Sequence, residues 1–226
     1  MATAKELNVI ITGSTGMVGE GVLLECLEHP QVKSILVINR RPNGRTHAKL
    51  KEIIHPDLFD LSPIESELSG YNACFFCAGV SSIGMNEEDY YKMTYTLTTN
   101  VAKTLVKLNP GMTFEYISGA STDSTEAGKL MWARVKGKTE NDLMKIPFAH
   151  VYNMRPGYMH ATPGQKNLLK LYKYLSWLYP VLKLIFPNRV STMKEMGLGM
   201  INTALYGYDK QILEVPDIKA SANRVS

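Results

Sequence analysis

An apolar run followed by three evenly spaced glycines lies near the amino terminus and reads Val9-Ile10-Ile11-Thr12-Gly13-Ser14-Thr15-Gly16-Met17-Val18-Gly19. The apolar part predicts a short strand, and the residues after it carry apolar side chains at helical spacing. A glycine turn between a strand and a helix is typical of a nucleotide site, because the helix N-terminus attracts phosphate. We interpret Gly13 as the tight turn, Gly16 as the closest approach to a pyrophosphate and Gly19 as the helix–strand contact. A plain structural turn is the alternative.

The residues after the second predicted strand favour one dinucleotide over another. This strand is a continuous apolar run, typical of a parallel sheet buried on both faces, and reads Ser34-Ile35-Leu36-Val37-Ile38. Asn39, Arg40 and Arg41 follow it, at the distance from the glycines where a ribose contact is expected. An acidic residue there would bind the 2′-hydroxyl of NAD, whereas Arg40 can pair with the 2′-phosphate of NADP. NADP (NADPH) is therefore expected rather than NAD, with two solvated arginines as the alternative.

Strand and helix patterns alternate over the rest of the chain. Further strands are predicted at 73–77, 114–117 and 149–154, and helices at 46–54, 87–108, 130–140 and 193–206. This alternation predicts an α/β fold with a doubly wound parallel sheet. We expect a single domain over residues 1–226, with 160–215 as a helical cover on the substrate side and a poorly ordered tail after Pro216.

Charge and cysteine content limit the kinds of binding partner and the cellular compartment that we expect for this chain. The formal net charge is +4 without a dense basic tail, so nucleic acid is not expected as a partner. Cys26, Cys74 and Cys77 lie within apolar runs and are expected to be reduced thiols. No second Cys or His pair follows at ligand spacing, so no metal site is predicted. Without a signal-peptide pattern, a cytoplasmic location is expected.

These motifs together resemble the short-chain dehydrogenase/reductase superfamily, in particular its atypical, epimerase-like NAD(P)-binding members, over about residues 7–160. The resemblance implies a Rossmann fold, an adenine-side motif at Asp57-Leu58, a fourth-strand motif at Cys77-Ala78-Gly79, a helix asparagine at Asn100 and an Arg-Pro segment beside the nicotinamide at Arg155-Pro156-Gly157. The cofactor-binding residues expected from the turn, the arginines and the resemblance are Gly13, Ser14, Thr15, Gly16, Met17, Val18, Gly19, Asn39, Arg40, Arg41, Asp57, Leu58, Cys77, Ala78, Gly79, Asn100, Lys136, Arg155, Pro156 and Gly157.

The family's active site is a Tyr-x-x-x-Lys pair on one helix face, with a Ser or Thr at the end of the preceding strand. Lys136 occupies the lysine position, but Trp132 stands four residues before it. An indole N–H only donates and does not titrate near neutral pH, so Trp132 cannot transfer the proton. The resemblance implies Lys136 and a strand-end hydroxyl, for which Ser118 is the first candidate and Ser121 and Thr122 are the next; Tyr158, just after the Arg-Pro segment, is added as a third catalytic candidate. Tyr158 is the candidate proton donor, with a water held by Ser118 or a merely structural tyrosine as alternatives.

Two classes of function follow from this pattern. The first is an NADP-dependent oxidoreductase or epimerase acting on a small carbonyl or hydroxyl substrate, with another group in place of the usual tyrosine. The second is a catalytically silent NADP-binding protein that acts as a redox sensor or interaction module.

The segment 165–186 is dense in Leu, Tyr and Trp and carries Lys166, Lys170 and Lys173 on one helix face. Its interior lysines and Pro180 argue against a transmembrane helix. Three roles stay open: a cover over a hydrophobic substrate, a homodimer seam, or a helix in peripheral contact with a membrane.

Overall fold

The computed structural model describes residues 5–168 and 176–224. The first half contains β1 (Leu7–Thr12), α1 (Met17–Glu28), β2 (Val32–Asn39), β3 (Leu50–Ile54), β4 (Ala73–Phe76) and α2 (Glu87–Tyr91), which continues through a π-helical turn (Lys92–Thr96) into α3 (Leu97–Leu108). The second half contains β5 (Thr113–Ile117), α4 (Met131–Leu143), β6 (His150–Arg155), β7 (Tyr158–His160), α5 (Tyr179–Ile185), β8 (Val190–Thr192), α6 (Met193–Tyr206), β9 (Ile212–Glu214) and α7 (Val215–Ala222).

Seven of these strands form one parallel sheet in the order β3-β2-β1-β4-β5-β6-β9. Helices α1, α6 and α7 pack on one face, and α3 and α4 pack on the other. The predicted doubly wound Rossmann fold is therefore confirmed. The winding reverses between β1 and β4, so a crevice opens at the carboxyl ends of these two strands, where ligands bind in open α/β sheets.

Strand β1 is apolar throughout because both of its faces are covered. Val9 and Ile11 face the core beneath α1 and α6, while Ile10 faces the core beneath α3. All three side chains are fully buried. A central strand of this kind gains hydrophobic stabilisation from every residue, which explains the absence of the polar alternation seen in half-exposed strands.

The structure corrects two predicted elements and adds a detail to a third. The helix expected at 46–54 is wrong, because residues 50–54 instead form β3 and pair with β2 at the sheet edge. The poorly ordered tail is also wrong: α7 begins there with a capping box and buries Val215 and Ile218. The long helix at 87–108 is present, with a π-helical turn inside it. Of the segment 165–186, residues 169–175 lie outside the described part.

A carboxyl group is buried in the middle of the sheet. Glu115 on β5 is fully buried, and its Oε1 accepts a 2.7 Å hydrogen bond from the Thr203 hydroxyl on α6. Burial raises the pKa of this carboxyl well above its ordinary value, although the hydrogen bond from Thr203 acts in the opposite direction. The fold therefore favours the neutral, protonated form of Glu115.

We expect Glu115→Gln to stabilise the protein at neutral pH. In the unfolded chain a glutamate ionises near pH ~4.3, so stability is lost as the pH rises above that value toward the raised pKa of the folded state. A glutamine keeps the shape and the acceptor for Thr203 but cannot ionise. Urea unfolding at about pH 5 and about pH 8 should show a flatter pH dependence for the variant. The exposed Glu65→Gln is the control, and equal slopes for wild type and Glu115→Gln would contradict the assignment.

Candidate functional site

The glycine turn is packed tightly on its inner side and open on its outer side. Gly13 has a φ of 72°, and a Cβ there would lie 2.7 Å from the Ala78 backbone after β4. A Cβ at Gly19 would collide with the Gly13 carbonyl. Gly16 is exposed, and a Cβ there would meet only the Gly13 carbonyl at 3.3 Å. The turn thus presents backbone at the N-terminus of α1, which fits a pyrophosphate.

Two adjoining cavities continue from this turn along the crevice. The larger, of about 250 Å³, is lined by Gly13, Thr15, Gly16, Ile38, Asn39, Arg40, Arg41, Leu58, Cys77, Ala78 and Gly79. The smaller, of about 110 Å³, is lined by Arg40, Pro56, Asp57, Leu58, Phe59, Ala78, Gly79, Val80, Met93 and Leu97. Most of the predicted dinucleotide contacts from 13 to 79 are therefore brought to one place. The apolar walls of the smaller cavity, with one carboxylate at the rim, fit a flat base.

The end of β2 holds a carboxylate that sequence reasoning missed. The buried Asn39 side chain donates to Glu52 Oε1 at 2.7 Å and to Ser14 Oγ at 2.9 Å. The same Glu52 oxygen accepts the Asn43 N–H at 3.0 Å. Glu52 carries no motif, and only the pairing of β3 with β2 brings it to Asn39, which lines the crevice. Arg40 is exposed beside it.

Lys136 projects from α4 toward the end of β5. Its Nζ donates a hydrogen bond to the Ser118 carbonyl. Burial lowers the pKa of Lys136 to about 8, although the Glu140 carboxylate one turn later acts in the opposite direction. A Cβ at Gly119 would lie 4.0 Å from Nζ, so the glycine leaves the amine room. A lysine in this state can exchange a proton near neutral pH.

The other predicted catalytic residues have different surroundings. The Ser118 hydroxyl is buried and donates to the Met154 carbonyl at 3.1 Å. Tyr158 begins β7 and is half-buried, and its N–H donates to the Arg189 carbonyl at 3.0 Å. Burial raises the pKa of Tyr158, and the nearby Tyr179 adds to the effect. Trp132 is half-buried one turn before Lys136 on α4.

The predicted Arg-Pro segment serves as a brace in this structure. Arg155 is buried and pairs with Glu140 on α4 and Glu214 on β9, so its guanidinium ties the sheet to α4. The Pro156 carbonyl accepts the Ala120 N–H at 2.8 Å, and a Cβ at Gly157 would collide with the Arg189 carbonyl.

The remaining predicted positions lie on two helices. Asn100 lies within α3, where its carbonyl accepts from the Thr104 hydroxyl at 3.1 Å. Met17 and Val18 begin α1.

A buried ion pair at Glu20 also fastens residues 166 and 167 to the start of α1, and sequence reasoning missed it. Glu20, in the first turn of α1, is 2% exposed and accepts from Arg45 at 2.5 Å. It also accepts the N–H groups of Lys166 and Asn167 at 3.0 and 2.7 Å. Gln165 adds a 2.8 Å hydrogen bond to the Met17 carbonyl. Burial alone would raise the pKa of Glu20, but the hydrogen bonds from Asn167, Arg45 and Lys166 outweigh it and lower that pKa.

Comparison with known families gives one match over the front of the chain. The family model described as the NAD dependent epimerase/dehydratase family matches residues 9–139. Among curated proteins, the chain is 28% identical over 172 residues to the protein fmp52-1, mitochondrial, of Aspergillus terreus, covering 72% of this chain and 71% of that protein. It is 26% identical over 155 residues to the protein FMP52, mitochondrial, of Candida albicans, covering 67% and 66%. The expected cytoplasmic location is contradicted, because these relatives are named mitochondrial.

Solved structures share the fold at low identity. The UDP-N-acetylglucosamine 4-epimerase of Methanobrevibacter ruminantium M1 is 15% identical, with a TM-score of 0.62 over 92% of this chain and 75% of that chain. The enzyme WbmF of Bordetella bronchiseptica, solved with NAD+, is 13% identical, with a TM-score of 0.65 over 97% and 78%. The carbonyl reductase Sniffer of D. melanogaster is 15% identical, with a TM-score of 0.54 over 68% and 82%.

We expect Glu20→Gln to loosen the segment 163–168 and to lower the free energy of unfolding by about 2 kcal/mol, because charge-assisted hydrogen bonds are lost. Hydrogen exchange at the Lys166 and Asn167 amides should accelerate, and urea unfolding should show the loss. The exposed Glu28→Gln on the same helix is the control. Unchanged amide protection in Glu20→Gln would show that the ion pair does not hold this segment.

Proposed function

Because the chain belongs to the NAD dependent epimerase/dehydratase family, we propose that it is an NADP(H)-dependent oxidoreductase or epimerase acting on a small carbonyl or hydroxyl compound. The observation that carries this proposal is the crevice itself, in which the open glycine turn, two adjoining cavities and Lys136 follow one another along the carboxyl edge of the sheet. The bound dinucleotide would supply or accept the hydride.

Different residues of the crevice would bind different parts of this cofactor. The turn around Gly16 offers backbone N–H groups and the helix dipole to the pyrophosphate. The smaller cavity, with Asp57 at its rim and Met93 and Leu97 in its wall, would take the adenine. Lys136 lies on α4, and its amine, which reaches the end of β5, would hold the nicotinamide ribose. Arg155 would support this site without contacting the cofactor, because its guanidinium is already paired with Glu140 and Glu214.

The preference for NADP rests on the charges at the ribose end. Arg40 is exposed and lines both cavities, so its guanidinium can pair with a 2′-phosphate. The Glu52 carboxylate lies nearby, but it accepts hydrogen bonds from Asn39 and Asn43. Because Glu52 accepts these two hydrogen bonds, its carboxylate would repel a 2′-phosphate less strongly. The exposed guanidinium of Arg40 is therefore the support for proposing a phosphorylated dinucleotide.

Lys136 is the group proposed to move the proton. Its ammonium, with a pKa of about 8, holds a proton near neutral pH and can give it to the oxygen of a carbonyl that accepts a hydride. The neutral amine can take the proton back in the reverse direction. Tyr158 keeps its proton at neutral pH because burial raises its pKa, so it would donate a hydrogen bond to the same substrate rather than titrate.

The second candidate function is a cofactor-binding protein without turnover. It is favoured by two observations at the reacting end of the crevice. Trp132 stands where the resembled family has its tyrosine, and the Ser118 hydroxyl donates inward to the main chain. In this case nucleotide binding would change the surface that a partner recognises, and Lys136 would only hold the ribose.

Calorimetric titration should show that NADPH binds more tightly than NADH and that Arg40→Ala removes this preference. Losing one charge-assisted contact should weaken NADPH binding by about tenfold or more and leave NADH binding nearly unchanged. Lys107→Ala, which removes an exposed charge from α3, is the control. Tighter binding of NADH by the wild type, or an equal loss for both nucleotides in Arg40→Ala, would refute the NADP assignment.

The rate of NADPH oxidation with an aromatic ortho-quinone should fall as the pH rises through about 8, because Lys136 then loses its proton. Lys136→Met should lower the rate by about 100-fold or more. The Lys136→Arg variant should still bind NADPH, but its rate of NADPH oxidation should no longer fall near pH 8. A Trp132→Tyr variant that gains activity would show that the scaffold presents substrate correctly, whereas wild type and variant that both bind NADPH without turnover would favour the silent function.

A further inference from the structure

A patch of exposed apolar side chains lies on and around α5. We call it the α5 patch, and it consists of Trp177, Val181, Leu184, Ile185 and Phe186. Leu184 is 83% exposed and Trp177 is 75% exposed. Eight large hydrophobic side chains are exposed in the described residues, and five of them lie within these ten positions. A cluster of this kind marks an interaction surface, since single exposed apolar residues are normally scattered.

The inner side of α5 is held by the rest of the protein. The Tyr179 ring stacks on the His160 ring of β7 with 4.2 Å between the centroids. Leu182 is half-buried on the same side. The helix is therefore anchored on one side, while its outer side presents Val181, Leu184 and Ile185 at spacings of three and four residues. These side chains are therefore exposed on a helix whose position is fixed by the contacts of its inner side.

The stretch of sequence that carries the patch has basic residues and no acidic ones, although Glu214 from β9 lines a cavity with Arg189. From Leu143 to Lys194 the sequence contains no Asp or Glu, although the chain has 21 acidic residues. The same stretch contains eight basic residues: Lys145, Arg155, Lys166, Lys170, Lys173, Lys183, Arg189 and Lys194. Lys183 and Arg189 are exposed next to the patch. A surface that combines apolar, aromatic and basic side chains complements the headgroup region of an anionic bilayer.

We propose that the α5 patch docks the protein on the surface of a bilayer rich in anionic phospholipid. Trp177 and Leu184 would enter the boundary between headgroups and acyl chains, while Lys183 and Arg189 would remain among the phosphates. The seven residues of α5 are too few to cross a bilayer, and no helix in the described part of the chain is long and apolar enough to do so. The protein would therefore lie on the membrane.

A second copy of the chain fits the patch less well. A symmetric dimer would place the α5 patches of the two protomers face to face, so Lys183 and Arg189 of one protomer would meet a surface that carries the same two positive charges. Glu214 lines a cavity with Arg189 and could offset part of that repulsion, but residues 143–194 contribute no carboxylate to offset the charge of Lys183. An anionic lipid surface turns the same charges into attraction, worth about fivefold in affinity for each basic side chain.

Sedimentation of the full chain with vesicles tests this docking. The protein should bind phosphatidylcholine vesicles that contain phosphatidylglycerol and bind pure phosphatidylcholine weakly. Leu184→Asp should weaken binding about tenfold or more, while Ile83→Asp, at another exposed apolar position, should not. Lys183→Glu should weaken it about fivefold or more, while Lys103→Glu on α3 should have little effect.

Tryptophan fluorescence gives a second readout at the patch itself. The chain has two tryptophans, so Trp132→Phe leaves Trp177 as the sole probe. Its emission should shift to the blue on anionic vesicles and stay unchanged on neutral ones. No binding to anionic vesicles would falsify the proposal. Binding with an unchanged Trp177 spectrum, or a dimer in light scattering that Leu184→Asp disrupts without any lipid binding, would also overturn it.

Discussion

The contact between the glycine turn and the backbone after β4 sets the geometry of the crevice. Gly13 can take its φ of 72° and lie against Ala78 only because it has no side chain. This close approach brings the carboxyl ends of β1 and β4 together and aims the N-terminus of α1 into the space between them. Any Cβ at Gly13 would have to displace main chain, so the shape of the crevice and the packing of the central sheet both require glycine at this position.

Buried charges connect this crevice to the rest of the molecule. Arg155 links β6, α4 and β9 through Glu140 and Glu214, and Glu140 also lies one turn from Lys136. Glu20 links elements in the same way, because it joins α1 to Arg45 and to the N–H groups of Lys166 and Asn167. Such pairs are costly to bury, so their value lies in fixing how elements meet. Both act next to the groups proposed to hold the dinucleotide.

Residues 165–167 and α5 lie in different surroundings. Residues 165–167 are hydrogen-bonded to the start of α1 through Glu20 and Gln165, whereas α5 carries an exposed apolar face. The proposed reaction and the proposed membrane surface therefore rest on separate contacts, and either can be tested without the other.

The sequence by itself determined the parallel α/β fold, the glycine turn and the position of Lys136, because these follow from local periodicity and short spacings. Only the tertiary structure decided that residues 50–54 form a strand, since their partner is the distant β2. It also decided that Arg155 braces the sheet, that Glu52 reaches Asn39 and that Glu20 holds residues 146 positions away. Buried ion pairs and edge strands depend on which elements become neighbours, and no local pattern encodes that.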